Sequence, residues 1–232
     1  MNNKTLPEQT ADSIMEYIIS NNMQPGDKIP NEFELAELLS VGRSTVREGV
    51  RILVSRNVLV IKRGAGTYIA DNTGVPEDPL GLSFSRDKYA LAADLIELRL
   101  ILEPEIASLA ALKATDKDIA AIMHKCDRVE ELYYSGADHM PEDIAFHTAI
   151  ARASGNQVIE KIVPIINTSV ALFCNLTART LKEETITTHR NVAKAIAEHD
   201  SVSAKYAMMM HLIYNRNKIE ELVREHNNNG DL

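Results

Sequence analysis

The chain has 232 residues, 45% of them hydrophobic and 25% charged, and a formal net charge of −8. This length can hold one large domain or two of ordinary size, and the composition is typical of a globular protein with a packed core. No apolar run approaches the roughly 18 residues of a membrane span, and Met1–Pro7 contains no apolar signal-peptide core. Cys126 and Cys174 lie far apart and form no C-x-x-C pair, so we expect reduced thiols in a cytoplasmic protein.

The charge is unevenly distributed along the chain. Residues 1–70 carry eight basic and eight acidic side chains, whereas residues 71–232 carry the whole net charge of −8. Within 43–63 there are six basic residues and a single acidic one, Glu48. Because the local field at a contact surface decides nucleic-acid binding, an acidic chain can still bind nucleic acid. The pattern indicates a head with one basic face and a separate acidic body.

The head begins with helical segments. Pro7 suits a first helical position, and an apolar stripe predicts a helix as far as Asn22. Asn31 can cap a second helix together with Glu34, three residues later. The tight turn 40–42 then leads into a third helix, and two helices joined by such a turn form a helix-turn-helix.

The third helix carries a basic stripe and is followed by a short hairpin. Arg43, Arg47 and Arg51 recur every four residues and therefore share one helix face, which suits phosphates and guanine edges. Two short apolar runs flank the turn 63–66, and this pattern predicts a β-hairpin with a basic tip. Helix and hairpin together predict a winged helix-turn-helix. An ordinary amphipathic helix with a solvated basic face remains the alternative from these residues alone.

The stretch QPGDKIPNEFELAELLSVGRSTVREGVRILVSRNVLVIKRGAGTYIA resembles the GntR family of bacterial transcription regulators. The resemblance covers about 60 residues, and turns, helix faces and wing agree in order. It departs from the family pattern at Phe33, Gly42, Gly49 and Asn57, and Gly42 removes a capping hydroxyl. The resemblance implies DNA contacts from the third helix and the wing, namely Arg43, Ser44, Thr45, Arg47, Arg51, Lys62, Arg63 and Gly64.

Helical patterns without strand alternation follow a segment rich in proline and glycine, Asp71–Gly81, which we interpret as a linker. Pro104 predicts a kink or restart in the first long helix. Thr115 with Asp118 predicts a helix start, and Gly155 predicts a helix end. The expected fold is mainly α: an N-terminal winged helix-turn-helix and a C-terminal all-helical bundle.

Four side chains in the helical part could bind a metal. Asp143 and His147 are four residues apart on one helix, and His189 and His211 lie on two later helices. Three imidazoles and one carboxylate suit a divalent ion such as Zn, Ni or Mn. The spacing alone leaves open that these are ordinary surface or core histidines.

The segment PEDIAFHTAIARASGN is similar to a motif of the FadR-type branch of GntR regulators, in its helical, FCD-like effector-binding domain. HRNVAKAIAEHD and MMMHLIYN resemble two later segments of that domain. The resemblance implies a metal, Zn first and Ni or Mn as alternatives, at Asp143, His147, His189 and His211. His124, His139, His199 and His226 have no such match, and we expect them to be solvated.

Arg99 lies mid-helix among leucines in a segment that also matches this domain. A guanidinium there must meet an anion or reach the surface. It could bind an effector carboxylate beside the metal, or form a structural salt bridge to a glutamate such as Glu103.

The resemblance divides the chain into a DNA-binding domain (1–70), a linker (71–81) and an effector-binding and dimerisation domain (82–228). It implies a homodimeric, bacterial, cytoplasmic regulator, a repressor of a metabolic operon, that binds a palindromic double-stranded DNA operator. The effector would be a small organic or sugar acid. The alternatives are a metal-dependent enzyme acting on a small carboxylate and a direct metal sensor; the absence of an H-E-x-x-H motif argues against the enzyme.

Overall fold

The computed structural model describes residues 4–71, 74, 76, 78, 80–177 and 182–230. The chain divides into two compact units, Met1–Pro79 and Leu80–Leu232. Residues 72, 73, 75, 77 and 79 of the expected linker lie outside the described residues.

The described residues form mainly helices and one small sheet. In chain order the elements are α1 (Leu6–Ser20), α2 (Glu32–Leu39), α3 (Arg43–Ser55), β1 (Leu59–Lys62), β2 (Gly66–Ile69), a 3₁₀ turn (Leu82–Phe84), α4 (Lys88–Lys113), α5 (Asp116–Ser135), α6 (Met140–Ala153), α7 (Gln157–Leu176), α8 (Lys182–Ala197) and α9 (Ser201–Gly230). The expected fold class is confirmed.

In the N-terminal unit α3 packs against α1. Val46, Val50 and Leu53 on one face of α3 share a core with Ile14 of α1. Gly49 permits this close approach, since a Cβ there would lie only 3.2 Å from the backbone nitrogen of Ala11. The departure from the family pattern at this position therefore has a packing consequence.

The two helices of the helix-turn-helix, α2 and α3, have different N-caps. Asn31 caps α2 by accepting hydrogen bonds from the amides of Phe33 and Glu34, and the Glu34 carboxylate accepts from the Asn31 amide. Gly42 occupies the N-cap of α3 without a side-chain hydrogen bond. The first turn of α3 therefore has no side-chain cap, and the amides at a helix N-terminus favour anions.

The wing is a two-stranded antiparallel hairpin. β1 pairs with β2 in the register Leu59–Ile69 to Lys62–Gly66, and the amide of Ala65 donates to the Lys62 carbonyl across the turn. Gly64 has φ +74 in this turn, a backbone conformation that favours glycine.

The C-terminal unit is a helical bundle in which α4 packs along α9, and α8 packs on both. The expected restart at Pro104 does not occur, because α4 runs through this residue from Lys88 to Lys113. A proline removes only one backbone donor, and buried side chains such as Ile106 hold the helix on the bundle.

The other helix boundaries in the bundle follow the local signals. Thr115 and Asp118 form the expected capping box at the start of α5. Gly155, with φ +59, follows α6 and turns the chain into α7. The two helices therefore pack side by side.

One helix, α7, has the length and mean composition of a membrane span, although polar and charged residues interrupt its apolar sequence. In α7 an 18-residue window has a mean hydropathy of 1.3. A core helix of a soluble protein passes the same test, and α7 packs against α4, α6 and α9.

Candidate functional site

The basic stripe of α3 faces solvent. Arg43, Arg47 and Arg51 are exposed, while Val46 and Val50 are buried on the other side of the helix. The hydrophobic period of α3 thus leaves one full face available for contact with another molecule. Ser44 is also exposed at the first turn, and the Thr45 beside it is half-buried.

Two of the three arginines of the stripe form exposed ion pairs. Arg47 donates three hydrogen bonds of 2.7 to 3.1 Å to the carboxylate of Glu32 on α2, and Arg51 donates to Glu48 at 2.7 Å. The hydrogen bonds to Arg47 lower the pKa of the Glu32 carboxyl, and those to Glu32 raise the pKa of Arg47. Exposed pairs of this kind are weak and salt-screened, so they add little to the stability of the fold.

Basic groups also lie on the wing. Lys62, Arg63 and Gly64 are exposed at its tip. The ammonium of Lys62 lies 4.5 Å from the ring centroid of Tyr68, a cation–π arrangement. The structure thus places the expected wing residues together on one exposed turn.

A second cluster lies inside the helical bundle. His147 on α6, His189 on α8 and His211 on α9 are buried, and their candidate ligand atoms lie within 4.8 Å of one another. Asp143 Oδ1 lies 3.6 Å from His147 Nε2 and 3.5 Å from His189 Nε2. The fold therefore brings together the four side chains that the resemblance implied as metal ligands.

Hydrogen bonds orient two of the three imidazoles. His147 Nδ1 donates to Glu103 Oε2 at 2.6 Å, which leaves the Nε2 lone pair on the Asp143 side. His211 Nδ1 donates to the Thr188 hydroxyl at 2.9 Å, because that hydroxyl itself donates to a backbone carbonyl. An outer group bonded to one nitrogen and a lone pair on the other is the usual arrangement of metal-binding histidines. In His211 the second nitrogen, Nε2, lies 3.2 Å from Asn215 Nδ2, so a metal would replace this amide as its partner.

Buried polar atoms without a partner point to an ion. Among the described residues, Asp143 Oδ1 and both ring nitrogens of His189 are buried and form no hydrogen bond. Such groups are costly in an apolar interior unless a cation or water compensates them. The donor set, neutral nitrogen with one anionic oxygen, fits a divalent transition metal.

The charge state of the cluster is compatible with metal binding. Burial, and then electrostatic interaction with neighbouring groups such as the Arg99 guanidinium, lowers the pKa of His189 well below its usual value. Burial, and then neighbouring histidines, also lower the pKa of His211 well below its usual value. Both imidazoles are therefore neutral and keep a lone pair, as a metal ligand must.

Arg99 is buried beside this cluster and pairs with Glu103, one turn away. Its Nη2 lies 3.2 Å from His147 Nε2. Burial alone would raise the pKa of the Glu103 carboxyl, but Arg99 and His147 together lower it below its usual value. The salt bridge that the sequence left as an alternative is present, and it adjoins the histidine cluster.

The sequence did not predict two neighbours of Asp143, which are His139 and Cys174. The expectation that His139 is solvated is wrong, because His139 is 1% exposed and stacks on Tyr133. Cys174 Sγ lies 3.9 Å from His139 Nε2 and 3.7 Å from Asp143 Oδ2. The four-residue spacing of His139, Asp143 and His147 could have indicated the first of these, but no spacing signal links Cys174 to them.

Residues 6–69 match the family described as bacterial regulatory proteins, gntR family, and residues 94–214 match the FCD domain. The chain is 31% identical to the Uxu operon transcriptional regulator of Escherichia coli, covering 88% of this chain and 83% of that protein. It is 28% identical to the putative L-lactate dehydrogenase operon regulatory protein of Escherichia coli, covering 91% of this chain and 85% of that protein.

A solved structure, Streptococcus agalactiae GntR, is 41% identical and superposes with a TM-score of 0.81, covering 91% of this chain and 99% of that one. These relatives are transcription regulators, and the FCD match covers the part of the chain that holds the histidine cluster. The enzyme alternative is therefore set aside. The chain belongs to the gntR family of bacterial regulatory proteins, and it is a DNA-binding transcription regulator of that family with a C-terminal FCD domain.

Proposed function

We propose that the protein is a ligand-responsive repressor of a metabolic operon and acts as a homodimer on a palindromic operator. One α3 helix reads only a few base pairs, so a two-fold pair of half-sites is needed for discrimination. The exposed basic face of α3 and the basic wing tip support this proposal. The proposed DNA contacts are Arg43, Ser44, Thr45, Arg47, Arg51, Lys62, Arg63 and Gly64.

We assign a divalent metal to Asp143, His147, His189 and His211. The 3.5 Å between Asp143 Oδ1 and His189 Nε2, both buried and unpartnered, carries this assignment. Nitrogen and oxygen ligands at zinc distances and tetrahedral angles lie about 3.4 Å apart. Zinc fits best on this ground, and nickel or manganese are the alternatives.

The effector we propose is a small carboxylate such as a hydroxy acid or sugar acid. An external oxygen donor would raise the coordination number of the metal above the four protein ligands, which nickel and manganese accept readily and zinc accepts less often. A hydroxy acid can then chelate through two oxygens, with Arg99 close enough to share its carboxylate. The name of the Escherichia coli relative, a putative L-lactate dehydrogenase operon regulatory protein, supports this chemical class.

Control of DNA binding requires that the effector binds one state of the protein more tightly than another. We place the coupling in the linker 71–81, which joins the sensing domain to the DNA-binding domain in sequence. The regulator would carry out this work in the bacterial cytoplasm, where its operator lies.

Gel-shift titration of the upstream intergenic DNA tests the function. Candidate hydroxy and sugar acids are added to the metal-loaded protein, to the chelator-treated protein, and to the protein reloaded with Zn²⁺. We expect one acid to release DNA only when metal is present. Release that tracks metal alone would instead indicate a direct metal sensor. A monomer in analytical ultracentrifugation, free and on DNA, would contradict the dimer.

A further inference from the structure

Asp143 has a second set of neighbours at its other carboxylate oxygen. Its Oδ1 faces His147 and His189, whereas its Oδ2 lies 3.7 Å from Cys174 Sγ. Cys174 Sγ also lies 3.9 Å from His139 Nε2. The candidate ligand atoms of His139, Asp143 and Cys174 all lie within 4.8 Å of one another.

We propose that His139, Asp143 and Cys174 form a second metal site for a thiophilic divalent ion, Zn²⁺ or Co²⁺, bridged to the first by the Asp143 carboxylate. This site lies beyond the four ligands assigned above. It stands or falls independently of the effector, because its ligands differ from the first set in all but Asp143.

The spacing of the three atoms fits such an ion. A thiolate and a nitrogen or oxygen ligand around tetrahedral zinc are separated by roughly 3.6 Å, from bond lengths of about 2.3 and 2.1 Å. The two distances from Cys174 Sγ, 3.7 and 3.9 Å, exceed this by no more than a few tenths of an ångström. Side-chain rotations can close that difference without moving the helices. A thiolate ligand selects zinc or cobalt over manganese, because it is soft.

The local fold holds these ligands in a fixed place. His139 is the N-cap of α6 and stacks on Tyr133 with ring centroids 3.7 Å apart, so its ring plane is held. Cys174 lies near the end of α7, which packs beside α6. All three ligand residues are at least nine-tenths buried. A preorganised buried site of this kind reduces the entropy that metal binding must overcome.

The hydrogen bond between Cys174 and Asp143 is weak. A thiol is a weak donor, and 3.7 Å to the Asp143 carboxylate gives little compensation for a buried negative charge. Binding of a divalent ion would displace the thiol proton to solvent and place a cation between the thiolate and the carboxylate. One carboxylate bridging two ions also occupies both oxygens of Asp143, which point in different directions.

Metal stoichiometry and a spectroscopic signature test the site. The full-length reduced protein is stripped with a chelator, dialysed to equilibrium against CoCl₂, and measured by elemental analysis and near-ultraviolet absorption. We expect two Co²⁺ per protomer and a thiolate-to-cobalt charge-transfer band. Cys174→Ala and His139→Ala should each bind one Co²⁺, and Cys174→Ala should lose the band completely.

Cys126→Ala is the matched control, because Cys126 is the other buried cysteine and does not belong to either group of candidate ligand atoms. It should keep both ions and the band. His189→Ala should lose one ion and keep the band. A wild-type protein that binds a single Co²⁺, or that shows no thiolate band, overturns the proposal even if the Cys174 variant fails to fold. If the wild type binds one Co²⁺ through nitrogen and oxygen ligands alone, the second site is excluded. The proposed function, which needs only the first metal site, is not affected.

Discussion

The Glu32 carboxylate on α2 holds the guanidinium of Arg47 on α3 by hydrogen bonds of 2.7, 3.0 and 3.1 Å. This contact joins the two helices of the helix-turn-helix on the exposed face of the head. A held guanidinium loses less side-chain entropy when it meets a base edge, so Glu32 can orient Arg47 for DNA.

Arg47→Ala should lower the preference for operator over random DNA by about 10-fold, because a bidentate arginine–guanine contact is lost. The fold should be intact, since the side chain is exposed. Fluorescence anisotropy with operator and scrambled duplexes measures the change, and circular dichroism checks the fold. Arg56→Ala removes the same charge from the end of α3 and serves as the control. Wild-type affinity in the Arg47 variant would show that α3 is not the recognition helix.

Glu32→Gln should raise affinity for random DNA, because one negative charge leaves the head, yet lower the preference for the operator. Glu48→Gln also removes one charge, from the partner of Arg51, and should raise random binding with a smaller loss of preference. Thermal unfolding should change by no more than about 2 °C in either variant, as expected for exposed ion pairs. Equal operator preference in the two glutamine variants would exclude the orienting role of Glu32.

Lys62→Ala should weaken binding to all DNA sequences alike and reduce the slope of log K against log salt by roughly one. The reason is that an exposed ammonium on the wing would contact phosphate. Lys194→Ala, on an exposed part of α8, is the control and should leave the slope unchanged. Affinity measured at several salt concentrations gives both slopes; an unchanged slope for Lys62→Ala would place the wing away from the backbone of DNA.

His189→Ala should lower the metal content and remove the effector response, while operator affinity stays close to that of the wild type. The ring nitrogens of His189 are buried and unpartnered, so their loss removes a ligand and breaks no hydrogen bond. Elemental analysis and gel shifts measure the two effects. His124→Ala, an exposed histidine on α5, should change neither. Full metal content in the His189 variant would contradict the assigned ligand set.

Glu103→Leu should destabilise the chelator-treated protein by about 3–5 kcal/mol, because the charge of Arg99 is left buried without its partner. The double variant Arg99→Met/Glu103→Leu should recover most of this loss. It should not recover all of it, since His147 Nδ1 would still lack its acceptor. Urea unfolding of both variants gives the comparison. Equal destabilisation in the two would show that the Arg99 charge is not the cause.

Features confined to one helix or one turn could be predicted from the sequence. The four-residue repeat of Arg43, Arg47 and Arg51 placed them on one exposed face, because the helical period fixes which residues share a side. The capping box of Thr115 and Asp118 could be predicted because both partners lie within one turn. The resemblance to known regulators also predicted the order of the helices, the wing and the helical bundle along the chain.

Contacts between helices required the tertiary structure. Spacing alone left open whether His189 and His211 meet Asp143 and His147, because three helices, α6, α8 and α9, must pack before their side chains converge. The local pattern allowed a salt bridge or an effector contact for Arg99, and burial beside Glu103 decided that the salt bridge forms. His139 and Cys174 are 35 positions apart, and only the packing of α6 on α7 brings them together at Asp143. Local periodicity sets the face of a helix, but the direction in which that face points depends on long-range packing.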